Sequence, residues 1–233
     1  MGNLYIVSTP IGNLQDISLR AVDTLDKVDI ILSEDTRKTG ILLKSLSERF
    51  RNTCKGRLIS YYEQNEFKRI PEILVLLNSG LNIALVSDAG TPTISDPGFK
   101  LVRRCIEAGI KVFSIPGPSS AVSGLVVSGL PTDKFTFLGF LPKKEGHRKK
   151  MLLQIKDSSK ILKTTYIIFV APHSLIRTLE ETRKELGDIK IVVARELTKI
   201  HEEIRREKIS ESIAHFTKTS PKGEIVLLFN LSD

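Results

Sequence analysis

The sequence predicts an α/β chain in two domains: a mostly parallel sheet flanked by helices, then an α+β domain with a mixed sheet. Three observations carry that reading. Short runs rich in Ile, Leu and Val alternate with amphipathic stretches as far as residue 115, the order of strand–helix–strand crossovers. Pro116-Gly117-Pro118 then breaks the alternation. Beyond it, strands and helices recur with fewer clean crossovers, which predicts a mixed sheet. The domains that follow are 1–117 and 118–233, with no internal repeat and no low-complexity tail.

Leu4 to Ser8 reads as a buried strand. Residues 18–27 read as a helix, with Leu19, Val22 and Leu25 at helical spacing. Val28 to Ser33 is a second strand, followed by a helix over 37–46 and a short strand from Leu58 to Tyr61. A helix over 68–79 turns Ile70, Ile73, Leu74 and Leu77 inward. Asn82 to Ser87 is a strand, 98–108 a helix closed by Gly109 at a cap position, and Lys111 to Ile115 a strand. A small-residue helix over 119–129 opens the second half. It continues with strand 135–140, basic helix 147–157, strand 164–170, helix 174–186, strand 189–194, helix 210–217 and strand 224–230.

Composition narrows the class. The 233 residues are 41% hydrophobic and 27% charged, ordinary for a globular protein. No apolar run approaches the ~20 residues of a membrane span. The start, Met-Gly-Asn-Leu-Tyr-Ile, lacks the basic segment of a signal peptide, and Ile6 breaks the myristoylation pattern. Cys54 and Cys105 do not make a disulfide framework. The four histidines (147, 173, 201 and 215) show no ligand spacing, so no metal is expected. A cytoplasmic protein is the expectation.

The net charge of +8 is uneven. Residues 143–163 carry 8 basic and 2 acidic side chains, while 1–142 carry 16 and 14 and 164–233 carry 11 of each. The core of that stretch is Lys143-Lys144-Glu145-Gly146-His147-Arg148-Lys149-Lys150. Such a cluster either serves as a solvated face or binds a polyanion by Coulomb attraction and counterion release. Its confinement to one segment favours the second.

Open α/β sheets bind ligands beyond the carboxyl ends of their strands. Three predicted strands end in loops of Gly, Pro and small polar residues: Ser8-Thr9-Pro10-Ile11-Gly12-Asn13, Ser87-Asp88-Ala89-Gly90-Thr91-Pro92 and Pro116-Gly117-Pro118-Ser119-Ser120. A fourth ends in Glu34-Asp35-Thr36-Arg37. Neither Gly-x-x-x-x-Gly-Lys-Ser/Thr nor Gly-x-Gly-x-x-Gly is present. Glu34, Asp35, Asp88 and Asp96 make this edge acidic, which disfavours a pyrophosphate and tolerates a cationic ligand such as a sulfonium cofactor. Helix capping is the competing role for these carboxylates, and the preferred one for Asp96. Gly117-Pro118-Ser119-Ser120-Ala121 approximates a nucleophile elbow, with His173 or His201 as partner, but the flanking prolines favour an extended entry over that sharp turn.

Several runs together are similar to one known group. Thr9-Pro10-Ile11-Gly12-Asn13-Leu14, Glu34-Asp35-Thr36-Arg37, Val86 to Pro92, Ser95-Asp96-Pro97-Gly98, Ile115 to Ser119, Ser128 to Asp133, Gly139 to Pro142, Ala194 to Lys199 and Lys222-Gly223-Glu224 resemble the ribosomal RNA small-subunit methyltransferase I group of the tetrapyrrole methylase superfamily. The resemblance spans nearly the whole chain. It implies a two-domain tetrapyrrole-methylase-like fold with S-adenosylmethionine in the trough between domains, and usually a homodimer. The implied activity is 2′-O-methylation of a cytidine in bacterial 16S rRNA, near the decoding centre; a tetrapyrrole-precursor methyltransferase is the alternative. By carry-over the cofactor residues are Pro10, Asp88, Ala89, Gly90, Thr91, Ser119 and Ser120. Ala171, Ala194, Lys222, Gly223 and Glu224 rest on the resemblance alone. One departure is Phe169-Val170-Ala171-Pro172-His173-Ser174, where members carry Tyr-Glu-Ser-Pro-His-Arg.

A ribose hydroxyl needs a base. Glu34, Asp35 and Asp88 are candidates, as is Lys199 if its charge is suppressed. Glu34, Asp35 and Arg37 are the preferred catalytic set, against a purely structural pairing of Arg37 with a carboxylate. Lys143, Lys144, Arg148, Lys149 and Lys150 are the expected contacts to the backbone of 16S rRNA or the small ribosomal subunit.

Overall fold

The computed structural model describes residues 1–51 and 54–231. The chain divides into two compact units, Met1–Ser119 and Ser120–Asp233.

The first unit alternates strand and helix: β1 (Leu4–Val7), α1 (Leu19–Lys27), β2 (Ile30–Ser33), α2 (Thr36–Phe50), β3 (Arg57–Ser60), α3 (Glu66–Asn78), β4 (Ile83–Val86), α4 (Phe99–Glu107) and β5 (Val112–Ile115). The sheet order is β3-β2-β4-β1-β5, and every neighbouring pair is parallel. Successive side chains of a strand face opposite layers. Ile30 and Leu32 therefore join Ile70, Ile73 and Leu77 of α3 and Leu101 of α4 in one core, with Leu4, Ile83 and Leu85. Ile31 points the other way, into a core with Val22 and Leu25 of α1, Leu43 and Leu46 of α2, and Val7 and Val86. Ser18 caps α1, its hydroxyl accepting from the Ala21 N–H at 3.1 Å. That cap leaves Leu19 on the solvent side, 72% exposed, so its apolar spacing with Val22 and Leu25 misled the sequence reading.

The turn into α4 is held by a buried acid. Glu66 is only 3% exposed. Its carboxylate accepts from the Tyr61 hydroxyl at 3.0 Å and the Gly98 N–H at 2.9 Å, and pairs with Lys100 at 3.0 Å. Burial raises the Glu66 pKa, but these donors outweigh it and hold the carboxyl below its ordinary value. Gly98 is required there: its φ is +127°, and a Cβ would run into the Leu85 side chain. The N-cap position of α4 is Gly98, two residues after Asp96.

The second unit contains α5 (Ser120–Val126), β6 (Phe135–Phe140), α6 (Glu145–Ser159), β7 (Thr165–Val170), α7 (Leu175–Leu186), β8 (Lys190–Arg195), β9 (Glu203–Lys208), α8 (Ile209–Lys218) and β10 (Ile225–Asn230). The sheet order is β6-β7-β10-β8-β9; β6 and β7 are parallel and the other pairs antiparallel. The mixed sheet expected from sequence is present. Leu152 and Ile155 of α6, Leu175 and Leu179 of α7, and Ile209 and Phe216 of α8 share its core with Ile168, Ile225 and Leu227. α5 packs on the opposite residues of β10, with a position for a Cβ at Gly124 only 3.4 Å from Val226. α5 is shorter than the helix expected over 119–129. β9 had no counterpart in the sequence reading, because Glu203-Ile204-Arg205-Arg206-Glu207-Lys208 holds one apolar residue. An edge strand tolerates that charge, and Arg195–Glu203 at 2.9 Å and Arg205–Glu207 at 2.7 Å pair much of it.

Glu66→Ala strands three donors and is expected to cost about 2–3 kcal/mol. Gly98→Ala is expected to cost about 1–3 kcal/mol through backbone strain and the Leu85 collision. Both are read from urea midpoints at constant m-value, and unchanged midpoints would remove the clamp from the account of stability.

Candidate functional site

Because its strands are parallel, the first sheet releases the loops after β1, β2, β4 and β5 at one edge. Three of those loops are tied together. The Thr9 N–H donates to the Gly90 carbonyl at 2.9 Å and the Gly90 N–H to the Thr9 carbonyl at 3.1 Å. The Thr91 hydroxyl donates to the Pro118 carbonyl at 3.0 Å, so the Ser8 hydroxyl, also 3.0 Å away, donates to Thr91. Ser8, Thr9 and Ser87 are buried beneath these contacts. Two glycines permit the close approach. Gly90 has φ +85°, and a Cβ on Gly117 would stand 2.9 Å from that of Ser8. Asp88, Ala89, Gly90, Thr91 and Pro10 thus lie in one knot of chain, with Pro118 and Ser119 at its end. Ser120 begins α5 in the second unit.

The carboxylates at this edge occupy different environments. Asp35 is the N-cap of α2, and Arg37 grips it at 3.0 and 2.7 Å. The Arg37 guanidinium and backbone N–H hold the Asp35 carboxyl at about 2. Asp88 accepts from the Asp35 N–H at 3.1 Å and pairs with Lys38 at 2.7 Å. Glu34 accepts from the Asp88 backbone N–H. Burial and the Asp88 carboxylate nonetheless push Glu34 above its ordinary value. The cluster therefore holds Asp35 ionised against Arg37, pairs Asp88 with Lys38, and leaves Glu34 as the acid whose pKa is raised.

In the second unit, β7 and β8 end where β10 begins, since Ile225 pairs with both Val170 and Arg195. That register gathers Ala171, Ala194 and Lys222-Gly223-Glu224 at one sheet edge. The loop after β8 is strained: Glu196 and Thr198 have φ of 52° and 67°. A Cβ on Gly223 would run into the Glu196 carboxylate. Lys199 bridges Glu196 at 2.8 Å and Glu224 at 3.3 Å. Burial lowers the Lys199 pKa, but the two carboxylates outweigh it and leave it above the ordinary lysine value. Lys199 is thus not a base with a suppressed charge. The variant Val170 sits in the core, and Phe169 contacts Phe137 and Phe140 edge-on at 4.9 and 5.6 Å.

The basic segment forms the start of α6, and its residues part company there. Lys143, Lys144, Lys149 and Lys150 are exposed. Arg148 is buried. Its Nε and Nη2 each reach Glu181 at 2.6 Å, and Nη1 donates to the Pro142 carbonyl at 3.3 Å and to the Lys143 carbonyl. Arg148 fixes α6 to α7 and is withdrawn from the expected phosphate contacts. A second basic segment escaped the sequence reading. Residues 37–57 hold seven basic side chains and one acidic, hidden because the rest of the first 142 residues is net acidic. Lys44, Arg49, Arg51, Lys55 and Arg57 are all exposed, and none forms an ion pair among the described residues. A sliding charge window would have found them. Among the described residues, no group of three or more His, Cys, Asp or Glu is placed to hold a metal, and no helix is long and apolar enough to cross a membrane.

Comparison with known proteins adds to this geometry. The family model described as Tetrapyrrole (Corrin/Porphyrin) Methylases matches residues 3–212. The ribosomal RNA small subunit methyltransferase I of Thermotoga maritima is 46% identical over 230 residues, covering 99% of each chain. That of Synechocystis is 47% identical over 229 residues, covering 98% of this chain and 78% of its own. The solved uroporphyrin-III-C-methyltransferase of Thermus thermophilus superposes with a TM-score of 0.64 at 18% identity, over 99% of this chain and 96% of its own, and bears on the fold alone.

The raised Glu34 pKa has a stability consequence. The folded state holds the Glu34 proton more tightly than the unfolded chain, so ionised Glu34 opposes folding above its folded pKa. Glu34→Gln is expected to raise the Tm at pH 7 to 8. That gain disappears below the ordinary carboxylate pKa, where Glu34 is protonated in both states. A Tm difference independent of pH would contradict the assigned environment.

Proposed function

We propose, from the premise that the chain belongs to the tetrapyrrole (corrin/porphyrin) methylase family, that this methyltransferase uses S-adenosylmethionine to methylate small-subunit ribosomal RNA. The observation that carries the substrate is the 46–47% identity, over nearly the whole chain, to two proteins named for that activity. At the finer level the product is a cytidine 2′-O-methyl group in 16S rRNA. A homodimer and a cytoplasmic location complete the proposal.

The edge of the first sheet suits the cofactor. Its three small-residue loops contain no Lys or Arg, Glu34 and Asp88 supply negative charge, and Gly90 and Gly117 leave backbone open where a side chain would strain or collide. Pro10, Asp88 to Thr91 and Ser119 would hold it at this edge. Bound S-adenosylmethionine supplies a methyl on a positively charged sulfur that departs neutral, so the protein needs no general acid. What remains for the protein is alignment and removal of the hydroxyl proton, together worth several powers of ten. Glu34 is the group poised to accept that proton. Asp35 is spent on capping α2 and holding Arg37, and Lys38 holds Asp88. Exposed Lys143, Lys144, Lys149 and Lys150, with the basic side chains of α2 and the following segment, supply sequence-independent hold on phosphate.

The decisive assay is methyl incorporation into small subunits and 16S rRNA, against a tetrapyrrole substrate, with ribose methylation read as resistance of the adjacent linkage to alkali. Glu34→Gln is expected to lower kcat by about 100- to 10,000-fold, far more than it weakens binding of S-adenosylmethionine. Asp35→Asn, which keeps a good cap, is expected to stay near wild type. Equal losses in both would remove Glu34 from its role.

RNA binding gives a separate check. Lys149→Ala with Lys150→Ala is expected to flatten the plot of log K against log salt by about 1.4–1.8. Arg148→Met should instead lower the urea midpoint, as expected when a buried pair is broken. An unaltered salt slope in the double variant would refute the phosphate role of α6.

A further inference from the structure

A cavity of ≈ 390 Å³ opens at the carboxyl ends of β2, β3 and β4, entirely within the first unit. That volume lies in the range of small-ligand sites. Glu34 lines it, together with Tyr62, Glu63 and Gln64 from the loop after β3, Ser95 and Asp96 from the loop before α4, and Phe99 and Lys100 from the first turn of α4. We infer that this cavity seats the unstacked target nucleoside, its base against the rings of Tyr62 and Phe99 and its exocyclic amine toward the Glu63 carboxylate. The inference rests on the RNA methyltransferase reading and assigns a place within it.

The aromatic residues are the first support. Phe99 is 65% exposed and Tyr62 39%. Such rings at one cavity are poor for solubility and suited to stacking, which is how proteins hold single unpaired bases. Charge is the second. Glu34, Glu63 and Asp96 outnumber Lys100, which Glu66 already pairs, so the wall disfavours phosphate and a base enters in preference to backbone; a carboxylate is also the natural acceptor for an exocyclic amine of cytosine type. Rigidity is the third. The buried Glu66 joins Tyr61, which precedes Tyr62, to Gly98, which precedes Phe99, so one clamp sets the spacing of both walls. Lys100, in the same clamp, lies 4.4 Å over the Phe67 ring and fixes that corner. A nucleoside seated here brings its ribose toward Glu34, the acid whose environment favours proton exchange.

The test uses the intact protein with two RNA substrates that differ only at the target, cytidine or uridine. Tyr62→Ala and Phe99→Ala are each expected to lower kcat/KM on the cytidine substrate by about 10- to 100-fold. Calorimetric affinity for S-adenosylmethionine and urea midpoints should hold, and Phe99→Tyr should restore turnover. The wild type is expected to prefer cytidine. Glu63→Gln should narrow that preference, since an amide can donate to the uridine carbonyl where a carboxylate repels it. Wild-type kinetics in both alanine variants, or a cytidine preference untouched by Glu63→Gln, overturns the seat while leaving the parent reading in place. Absence of methyl transfer by the wild type to either substrate or to small subunits overturns both.

Discussion

Parallel pairing is the constraint from which the candidate site follows. A sheet whose strands all run one way must return each connection through a helix, and must release every strand-end loop at the same edge. In the order β3-β2-β4-β1-β5 the adjacent strands β2, β4 and β1 bring Glu34, Asp88 and Thr9 within reach of one another, although they are far apart in sequence. The helices have to cover both faces, so no apolar surface competes for the edge. What is left there is short, polar and closely packed. The Thr9–Gly90 bridge and the Thr91–Pro118 bond convert three loops into one structure.

Within that edge, chemistry is sorted by neighbours and not by residue type. Glu34 and Asp35 are adjacent in sequence, yet one is raised by burial and Asp88 while the other is held at about 2 by Arg37. The local chain accounts for the difference. Asp35 stands at the first turn of α2, where Arg37 folds back on it, whereas Glu34 points toward the cavity wall. The same logic disposes of Lys199, whose burial suggests a neutral amine until Glu196 and Glu224 are counted.

The sequence is legible where local physics decides and silent where partners decide. Short apolar runs located every strand of the first sheet, because strands covered on both faces read as runs, and the loss of clean crossovers marked the mixed character of the second. The sequence reading missed β9, whose charges are paired across an edge that needs no apolar face. It turned Leu19 inward because periodicity records spacing and not phase, and Ser18 set the phase. Arg148 sat in a basic run and was grouped with its neighbours, yet one helical face later it meets Glu181. Asp96 before Pro97 has the look of a cap, while the N-cap position of α4 is Gly98, whose N–H Glu66 holds. The strand-end loops were readable as loops. That Thr9 and Gly90 exchange hydrogen bonds was not, since their partnership exists only across the sheet.

The distribution of charge in the first unit gives the edge its selectivity. α2 starts at Asp35, beside the acidic cluster, and its fifteen residues carry the chain about 22 Å away toward Arg49, Arg51, Lys55 and Arg57. A polyanion is drawn to the far end and along the exposed side of the helix, where Lys44 stands seven residues from Arg37 and so shares its face. The same polyanion is repelled from the edge itself, where carboxylates outnumber their partners. For the proposed RNA substrate, attraction without access holds a strand nearby but keeps its phosphates out, so that an uncharged group enters the cavity in their place. An unstacked nucleoside is the one part of a nucleic acid that meets this condition. In the proposed function, segregated charge does what a uniformly basic site would not: it separates holding the RNA from admitting the atom that reacts.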